Sequence, residues 1–493
     1  MPSQPTTRWQ VSGYRFLVRR MEHALVRRDV RMLHDPMRSQ SRALAVGAVL
    51  ASLGLAACAV LALIRPQDKM ADNKIVIGKD SGAMFVVLDN VVHPVMNLAS
   101  ARLAAGSADK PAIVKESELD KKPRGALVGI PGAPSALPFD ANGTGRAWSV
   151  CDAIGSDGSN SITNSVVVGN PELGEGISAL GKGEALLLKS KTDTYLVYDG
   201  KRAKIDLNNR AVTNALALEG AVPRPVSSGL LNAIPEVPAI APPKIDGAGS
   251  PPLYSMPGEK VGAIVQVPRG DVKQNYVVLR DGIQPISSAT AELIRFSDSQ
   301  GMTDIAKLTP DALTQAPTVD QLDVSTFPDS APSVVNSSDK PVSCLSWKPV
   351  SGGAEQGATG AEMTLLTGRS LPIPGNAKMV TLAQADGAGD KTDTVYVHPG
   401  DGAFVQTTGI EPGSRRKDSL FFVSDTGVRY GVTDAEAAKD LGFTANPEPA
   451  PWSIVSLLAP GPALGREEAL VAHDGVAPDD SPAALPSSGT AGN

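Results

Sequence analysis

One run of 22 residues, Ala43 to Ile64, dominates the distribution of apolar and polar side chains and contains no charged residue. As a helix at about 1.5 Å per residue, this run is roughly 33 Å long, which is enough to cross a hydrocarbon core of about 30 Å. A buried helix of a soluble protein would normally keep a polar face. The run therefore predicts a single transmembrane helix over residues 43–64.

The charges on either side of this run predict its orientation. Residues 1–42 contain nine arginines and three acidic residues, whereas the remainder of the chain contains 37 basic and 49 acidic residues. By the positive-inside rule, the arm at residues 1–42 is expected in the cytosol and the body that follows is expected outside the inner membrane. A cleaved signal peptide would have a shorter basic region and a shorter apolar run. A lipoprotein site at Cys58 is also disfavoured, because the apolar run continues beyond it.

Within the arm, apolar residues recur at helical spacing from Tyr14 onward, with arginines on the other sides, and Ser12 is the expected N-cap. An amphipathic helix of this kind either lies on the membrane surface or docks against a partner. Both interpretations stay open, because each needs an apolar stripe bordered by arginine. The candidate docking residues are Trp9, Tyr14, Arg15, Leu17, Val18, Arg19, Arg20, Met21 and Leu25.

The body repeats its own sequence. The segment FVVLDNVVHPV from Phe85 matches YVVLRDGIQPI from Tyr276 position by position. Cys151 and Cys344 follow at nearly the same offset, and Lys-Thr-Asp-Thr occurs at Lys191 and again at Lys391. Three landmarks with similar offsets indicate two related halves.

Smaller units recur within each half, in which two strands around a turn such as Asp199-Gly200 precede a short helical pattern. In the last unit, Thr433 is the expected N-cap of a helix over Asp434 to Leu441. The predicted fold is therefore α+β, with one transmembrane helix and a body of four small sheet-and-helix repeats around a β-rich core with pseudo-twofold duplication. The predicted repeats span 72–105, 185–250, 255–319 and 411–475. The predicted core spans 106–184 and 320–410, and residues 476–493 are predicted to form a disordered tail.

Composition argues against one class of partner and predicts several small units rather than one large core. The net charge of −12 beyond residue 64 argues against a nucleic-acid partner. The chain has 48 Gly and 40 Pro but only 20 aromatic residues, so several small loop-rich units are expected rather than one large core.

Only two cysteines, Cys151 and Cys344, lie outside the predicted membrane helix, and they occupy equivalent positions in the two halves. An oxidising compartment favours a disulfide between them. The alternative is a pair of buried free thiols.

The sequence contains none of the usual catalytic motifs. A Gly-x-x-x-x-Gly-Lys-Ser/Thr phosphate loop, a His-Glu-x-x-His metal site and a Gly-x-Ser-x-Gly nucleophile elbow do not occur. His93, His398 and His473 have no Cys or His neighbour at metal-ligand spacing. No catalytic residue, metal or cofactor is therefore predicted.

Several stretches resemble the EccB family, the single-pass component of type VII (ESX) secretion systems. They are QVSGYRFLVRRMEHALVRRD from Gln10, NLASARL from Asn97, GALVGIPGAPS from Gly125 and WSVCD from Trp148. The resemblance implies an elongated periplasmic body of four repeats about a central core, each repeat similar to a cell-wall-binding module, and a core disulfide, which here would be Cys151–Cys344.

The resemblance also implies partners, namely EccC, EccD, EccE and the mycosin protease in the inner membrane. The function expected from it is that of a structural subunit that self-associates and positions the other channel components. The alternatives are a peptidoglycan-binding anchor and a nucleotide hydrolase, since some family members are labelled ATPases. ATP would be a cofactor only in that last case.

Overall fold

The computed structural model describes residues 7–31, 36–64, 72–139, 145–155, 161–256, 258–269, 272–301, 303–350, 358–386 and 391–477. They belong to two compact units, Met1–Ala71 and Asp72–Asn493. The second unit is called the body below. Most of the predicted tail, from residue 478 onward, lies outside the described residues.

The amino-terminal unit contains helices α1 (Arg8–Arg27) and α2 (Pro36–Ile64). At the start of α1, Thr7 is the N-cap, and its backbone N–H donates to Gln10 Oε1 over 2.9 Å. The predicted cap at Ser12 is wrong, because Ser12 lies inside the helix. In α2, residues Ser39–Ala62 are long and apolar enough to cross a membrane, and they are not covered by other parts of the chain. The unit therefore carries one candidate membrane-spanning helix, which covers nearly all of the predicted span.

The described part of the body contains nine short helices. They are α3 (Leu98–Ala105), α4 (Glu116–Leu119), α5 (Arg210–Ala215), α6 (Ser228–Ala233), α7 (Ser288–Ser297), α8 (Pro310–Thr314), α9 (Ala435–Leu441), α10 (Trp452–Val455) and α11 (Arg466–Ala469). Side-chain caps begin several of them: Asp434, for example, accepts a hydrogen bond from the Ala437 N–H over 2.8 Å at the start of α9. The sequence had indicated the preceding residue, Thr433, as this cap.

The strands are short and occur throughout the body. In the first half they are β1 (Ile75–Gly78), β2 (Met84–Leu88), β3 (Val91–Pro94), β4 (Ala112–Val114), β5 (Leu127–Val128), β6 (Trp148–Ile154), β7 (Ile162–Val168), β8 (Ile177–Ala179), β9 (Glu184–Lys189), β10 (Thr194–Tyr198), β11 (Lys201–Ile205), β12 (Arg224–Pro225) and β13 (Glu236–Val237). In the second half they are β14 (Ile264–Arg269), β15 (Val272–Val278), β16 (Ile283–Ile286), β17 (Ala306–Lys307), β18 (Ser333–Val334), β19 (Val342–Pro349), β20 (Ala361–Gly368), β21 (Val380–Thr381), β22 (Thr394–Val397), β23 (Ala403–Thr408), β24 (Leu420–Val423), β25 (Val428–Val432), β26 (Glu448–Pro451), β27 (Ala459–Pro460) and β28 (Ala472–His473).

A seven-stranded sheet, called the central sheet, has the order β21-β22-β7-β6-β19-β20-β8. Its middle is the antiparallel pair β6 and β19, one strand from each half of the body. Strands of the two halves also pair on both sides of this middle pair. On one side β8 of the first half pairs with β20 of the second, and on the other side β22 of the second half pairs with β7 of the first. The two halves are thus joined by strand pairing at three places in one sheet.

Four further sheets, called the first to fourth small sheets, have the orders β3-β2-β1-β4, β12-β9-β10-β11-β13, β16-β15-β14-β17 and β26-β23-β24-β25-β27, with β18 also on β9. Each begins with three consecutive antiparallel strands, followed by a helix and a strand that pairs in parallel with the first strand. A second short helix then leads to a parallel partner of the third strand. That partner is β13 or β27 in two sheets and a single bridge at Arg124 or Thr318 in the other two.

Strand register and turns agree among the small sheets. Phe85 lies opposite Pro94 in the first sheet, and Tyr276 lies opposite Pro285 in the third. The β10–β11 hairpin turns at Asp199-Gly200, where both residues have positive φ, 46° and 74°. This turn type requires positive φ at both central positions, which explains the Asp-Gly sequence.

Apolar clusters link the sheets within the body. The first and fourth small sheets share a core between α3 and α9, and the second and third share a core that includes α5 and α7. A third cluster joins the central sheet to the second and fourth small sheets and contains Trp148 and Trp347. Since each small sheet has few strands, it buries its apolar side chains against a neighbour rather than alone.

Candidate functional site

The centre of the central sheet holds the disulfide between Cys151 and Cys344. Residues Cys151 and Cys344 lie directly opposite each other on β6 and β19, with Cα atoms 4.0 Å apart, and both are buried. The bond therefore links the two halves of the body at the strand pair where they meet. Cys58, in α2, is free and exposed.

The residues next to the disulfide also face one another across the strand pair. Ser149 Oγ donates to Ser346 Oγ over 2.9 Å, and Trp148 lies opposite Trp347. Both indole rings are fully buried, but only the Nε1–H of Trp347 has an acceptor among the described residues, the Ile410 carbonyl at 3.0 Å. This contact ties the central strand to the segment after β23.

A buried polar network joins the central sheet to helix α6. Asp152 accepts hydrogen bonds from the Ser227 N–H over 2.7 Å and from Asn164 Nδ2 over 2.8 Å. The Asn164 N–H donates to Asp393 Oδ2 over 2.8 Å, so two buried carboxylates share Asn164. Burial raises the pKa of Asp152, although the hydrogen bonds from Ser227 and Asn164 partly oppose this. Ser227 is itself the N-cap of α6, so the network fixes where that helix begins.

A second buried network joins the central sheet to the fourth small sheet. The guanidinium of Arg146 pairs with Glu448, the first residue of β26, and with Asp401 Oδ1 at 2.6 Å. The Arg146 N–H also donates to Glu448 Oε2 over 3.3 Å. Breaking such a buried pair by removing one charge is costly, because the remaining charge stays buried without its partner.

In the amino-terminal unit, α1 presents apolar side chains on its surface. Tyr14, Leu17, Met21 and Leu25 are all exposed, and Val18, which is half-buried, lies on the same side. Trp9 is 88% exposed. At about 100° per residue it lies roughly 140° around the helix from Tyr14, so it is not part of the same stripe.

The structure therefore places the two groups of sequence-predicted site residues in separate units. Cys151 and Cys344 meet in the body, whereas the predicted docking residues all lie on α1. Sequence reasoning did not find the networks around Asp152 and Arg146, since their partners are distant along the chain and carry no motif. Among the residues that the structure describes, no group of three or more His, Cys, Asp or Glu side chains could hold a metal ion.

Comparison with protein families and curated proteins gives a consistent result. The family model for EccB, described as the type VII secretion system ESX-1 transport TM domain B, matches residues 3–478. The ESX-3 secretion system ATPase EccB3 of Mycolicibacterium smegmatis is 41% identical, over 98% of this chain and 93% of its own. The ESX-1 secretion system ATPase EccB1 of Mycobacterium tuberculosis is 37% identical, over 98% of each chain.

Two solved structures resemble the chain closely. A chain of an intact ESX-5 inner membrane complex has a TM-score of 0.76 and 34% identity, over 98% of this chain and 99% of its own. A chain of the EccB3 dimer from the ESX-3 core complex has a TM-score of 0.71 and 40% identity, over 81% of this chain and all of its own. Since the family model and these relatives cover nearly the whole sequence, the chain belongs to the EccB family of type VII secretion systems.

Proposed function

We propose that this protein is a structural subunit of a type VII (ESX) inner-membrane secretion complex. The observation that carries the proposal is the match to a chain of an intact ESX-5 inner membrane complex, which extends over 98% of the sequence with a TM-score of 0.76. That match includes the amino-terminal unit as well as the body. The EccB3 dimer of the ESX-3 core complex supports self-association.

The proposed topology is a cytosolic arm over residues 1–42, a membrane span over residues 43–64 and a periplasmic body. The charge difference between the arm and the body supports this orientation. Arg8→Cys and Lys182→Cys, each made in a Cys58→Ala background, provide the test with a membrane-impermeant maleimide on intact spheroplasts. We expect label at position 182 and none at position 8 until the membrane is opened. The reverse pattern would contradict the topology.

The apolar stripe of α1, formed by Tyr14, Leu17, Val18, Met21 and Leu25, is the proposed docking surface for other subunits of the complex. Its side chains are mostly exposed within the amino-terminal unit, so a partner would remove apolar area from water. The neighbouring Arg15, Arg19 and Arg20, together with Trp9, complete the proposed surface. The partners proposed for the protein as a whole are EccC, EccD, EccE and the mycosin protease.

Two double variants test this surface. Leu17→Ser with Met21→Ser changes the stripe, whereas Phe16→Ser with Val26→Ser changes equally apolar, exposed residues on other sides of the same helix. We expect affinity purification of the complex to lose the other subunits with the first variant and to keep them with the second. Equal retention by both variants would contradict docking through the stripe.

The common strand order of the four small sheets supports a body of four repeats around a duplicated core. The proposed divisions are repeats at 72–105, 185–250, 255–319 and 411–475 and core segments at 106–184 and 320–410. We change two of these bounds, extending the first repeat to residue 124 because of the parallel bridge at Arg124 and beginning the fourth at residue 403 because β23 pairs with β24, so that the core segments run from 125 to 184 and from 320 to 402. Such repeats would present several similar surfaces for lateral association.

A further inference from the structure

A cleft of about 610 Å³ lies between residues at the end of β19 and just before β20, on one side, and residues of the fourth small sheet on the other. Its volume falls within the range of roughly 300–1,000 Å³ that is common for ligand sites. Described residues on its walls include Val350, Gln406, Thr408, Arg416, Lys417 and Asn446. None of the residues listed for its walls is a cysteine of the disulfide or one of the predicted docking residues.

Two cations give the cleft its charge. Arg416 and Lys417 are exposed on the segment between β23 and β24, and neither side chain has a hydrogen bond or ion pair among the described residues. The Arg416 N–H donates to Ser414 Oγ over 3.3 Å, which holds the backbone of this segment. Guanidinium groups bind carboxylates through paired hydrogen bonds. The two side chains are therefore available to an anionic ligand, on a body whose net charge is otherwise negative.

The inner wall of the cleft adds polar groups without adding unpaired negative charge. Glu448 lies there, but its carboxylate is bound by the guanidinium of Arg146. Thr408 is only 2% exposed, and its Oγ1 has no hydrogen-bond partner among the described residues. A buried hydroxyl without a partner is uncommon, because it has given up its bonds to water. Gln406 Nε2 donates one N–H to the Asp418 carbonyl over 3.3 Å, which leaves its second N–H and its Oε1 for a peptide main chain, and Asn446 supplies a further amide donor and acceptor.

The remaining walls are apolar and rigid. Pro349, Val350, Pro447 and Pro449 line the cleft, and proline has a fixed φ and no N–H to satisfy. The combination of unpaired cations at the surface, amide and hydroxyl groups on the wall and apolar contacts between them suits an extended chain better than a small inorganic anion. We propose that this cleft binds an acidic peptide segment, with its carboxylates on Arg416 and Lys417 and its main chain along Gln406, Thr408 and Asn446.

The test uses the full-length protein in nanodiscs of neutral lipid and a hexapeptide of alternating glutamate and glycine that carries a diazirine. Photocrosslinked sites are mapped by mass spectrometry, because the arginine-rich arm also attracts acidic peptides and must be distinguished from the cleft. We expect adducts on the segments around residues 349, 407 and 447. They should decrease about tenfold in Arg416→Gln with Lys417→Gln, as expected for the loss of two exposed ion pairs.

The matched control is Lys260→Gln with Arg280→Gln, which makes the same change in net charge at exposed positions elsewhere and should leave these adducts unchanged. Thr408→Val removes the hydroxyl without breaking an internal hydrogen bond, so it should weaken the crosslink several-fold while thermal stability is kept. Adducts on the arm alone, equal labelling by the glutamine analogue of the peptide, or more effective competition by polyphosphate than by unlabelled peptide would each overturn the proposal.

Discussion

Removal of the disulfide should destabilise the body strongly without preventing it from folding. Replacing both Cys151 and Cys344 by alanine releases a loop closed over a sequence separation of 193 residues. In the chain-entropy model, a loop of this length corresponds to roughly 5 kcal/mol. The strand pair β6–β19 keeps its backbone hydrogen bonds and its neighbouring buried residues in the variant, so the native sheet remains available.

Guanidinium denaturation followed by tryptophan fluorescence measures this loss, since Trp148 and Trp347 lie three residues from the two cysteines. We expect the free energy of unfolding to fall by about 3–5 kcal/mol, since residual structure in the unfolded chain reduces the ideal value. Thiol titration of the denatured, non-reduced wild type should give one free thiol, Cys58.

The control is Ser149→Ala with Ser346→Ala on the same strand pair. It removes both partners of one buried hydrogen bond and should cost no more than about 1 kcal/mol. A loss below 1 kcal/mol for the cysteine variant, or a titre of three thiols in the wild type, would show that the disulfide does not stabilise the body in this way.

Three further predictions concern other parts of the molecule. Trp347→Phe should lower the free energy of unfolding by about 1–2 kcal/mol more than Trp148→Phe, because among the described residues Trp347 has an acceptor, the Ile410 carbonyl, and Trp148 has none; equal losses in denaturation experiments would contradict this. Hydrogen bonds from the backbone N–H groups of Ser81 and Asp80 hold the pKa of Glu116 at about 2, below its ordinary 4.5. The stabilising contribution of the Glu116 carboxylate is therefore complete above pH 4.5 and is lost as the pH falls toward 2. The difference in Tm between the wild type and Glu116→Gln should therefore decrease over that range, and a constant difference would be contrary to expectation. Finally, purified protein free of other subunits should show no ATP turnover, because the sequence lacks a phosphate loop, and turnover abolished by a point substitution would refute this.

Several local features could be predicted from the sequence. The apolar repeat after Tyr14 indicated α1, and Asp199-Gly200 indicated the β10–β11 hairpin. The predicted N-caps were less accurate. Ser12 and Thr433 were expected, whereas Thr7 and Asp434 begin the two helices, because several residues near each helix start can serve as caps. The helix and hairpin depend on hydrogen bonds between residues close along the chain, so their patterns are visible in short windows of sequence.

The networks and the cleft could not be predicted in the same way. Arg146 and Glu448 are 302 residues apart, and Asp152 and Ser227 are 75 apart. Neither pair has a distinctive spacing, and single Arg, Glu, Asp and Ser residues are common on protein surfaces. Their role depends on burial, which is decided only when the central sheet packs against the small sheets.

The candidate membrane-spanning helix, the charge asymmetry that predicts its orientation, the internal similarity around Phe85 and Tyr276, and the pairing expected of Cys151 with Cys344 can all be read from the chain without coordinates. Each of these depends on composition, charge or local periodicity. Three features require the folded arrangement: β6 and β19 lie side by side with the cysteines opposite, β8 and β22 each pair with a strand of the other half, and Thr408 and Arg416 line one cleft. Strand pairing between distant segments depends on how all of their side chains pack together, and no short stretch of sequence contains that information.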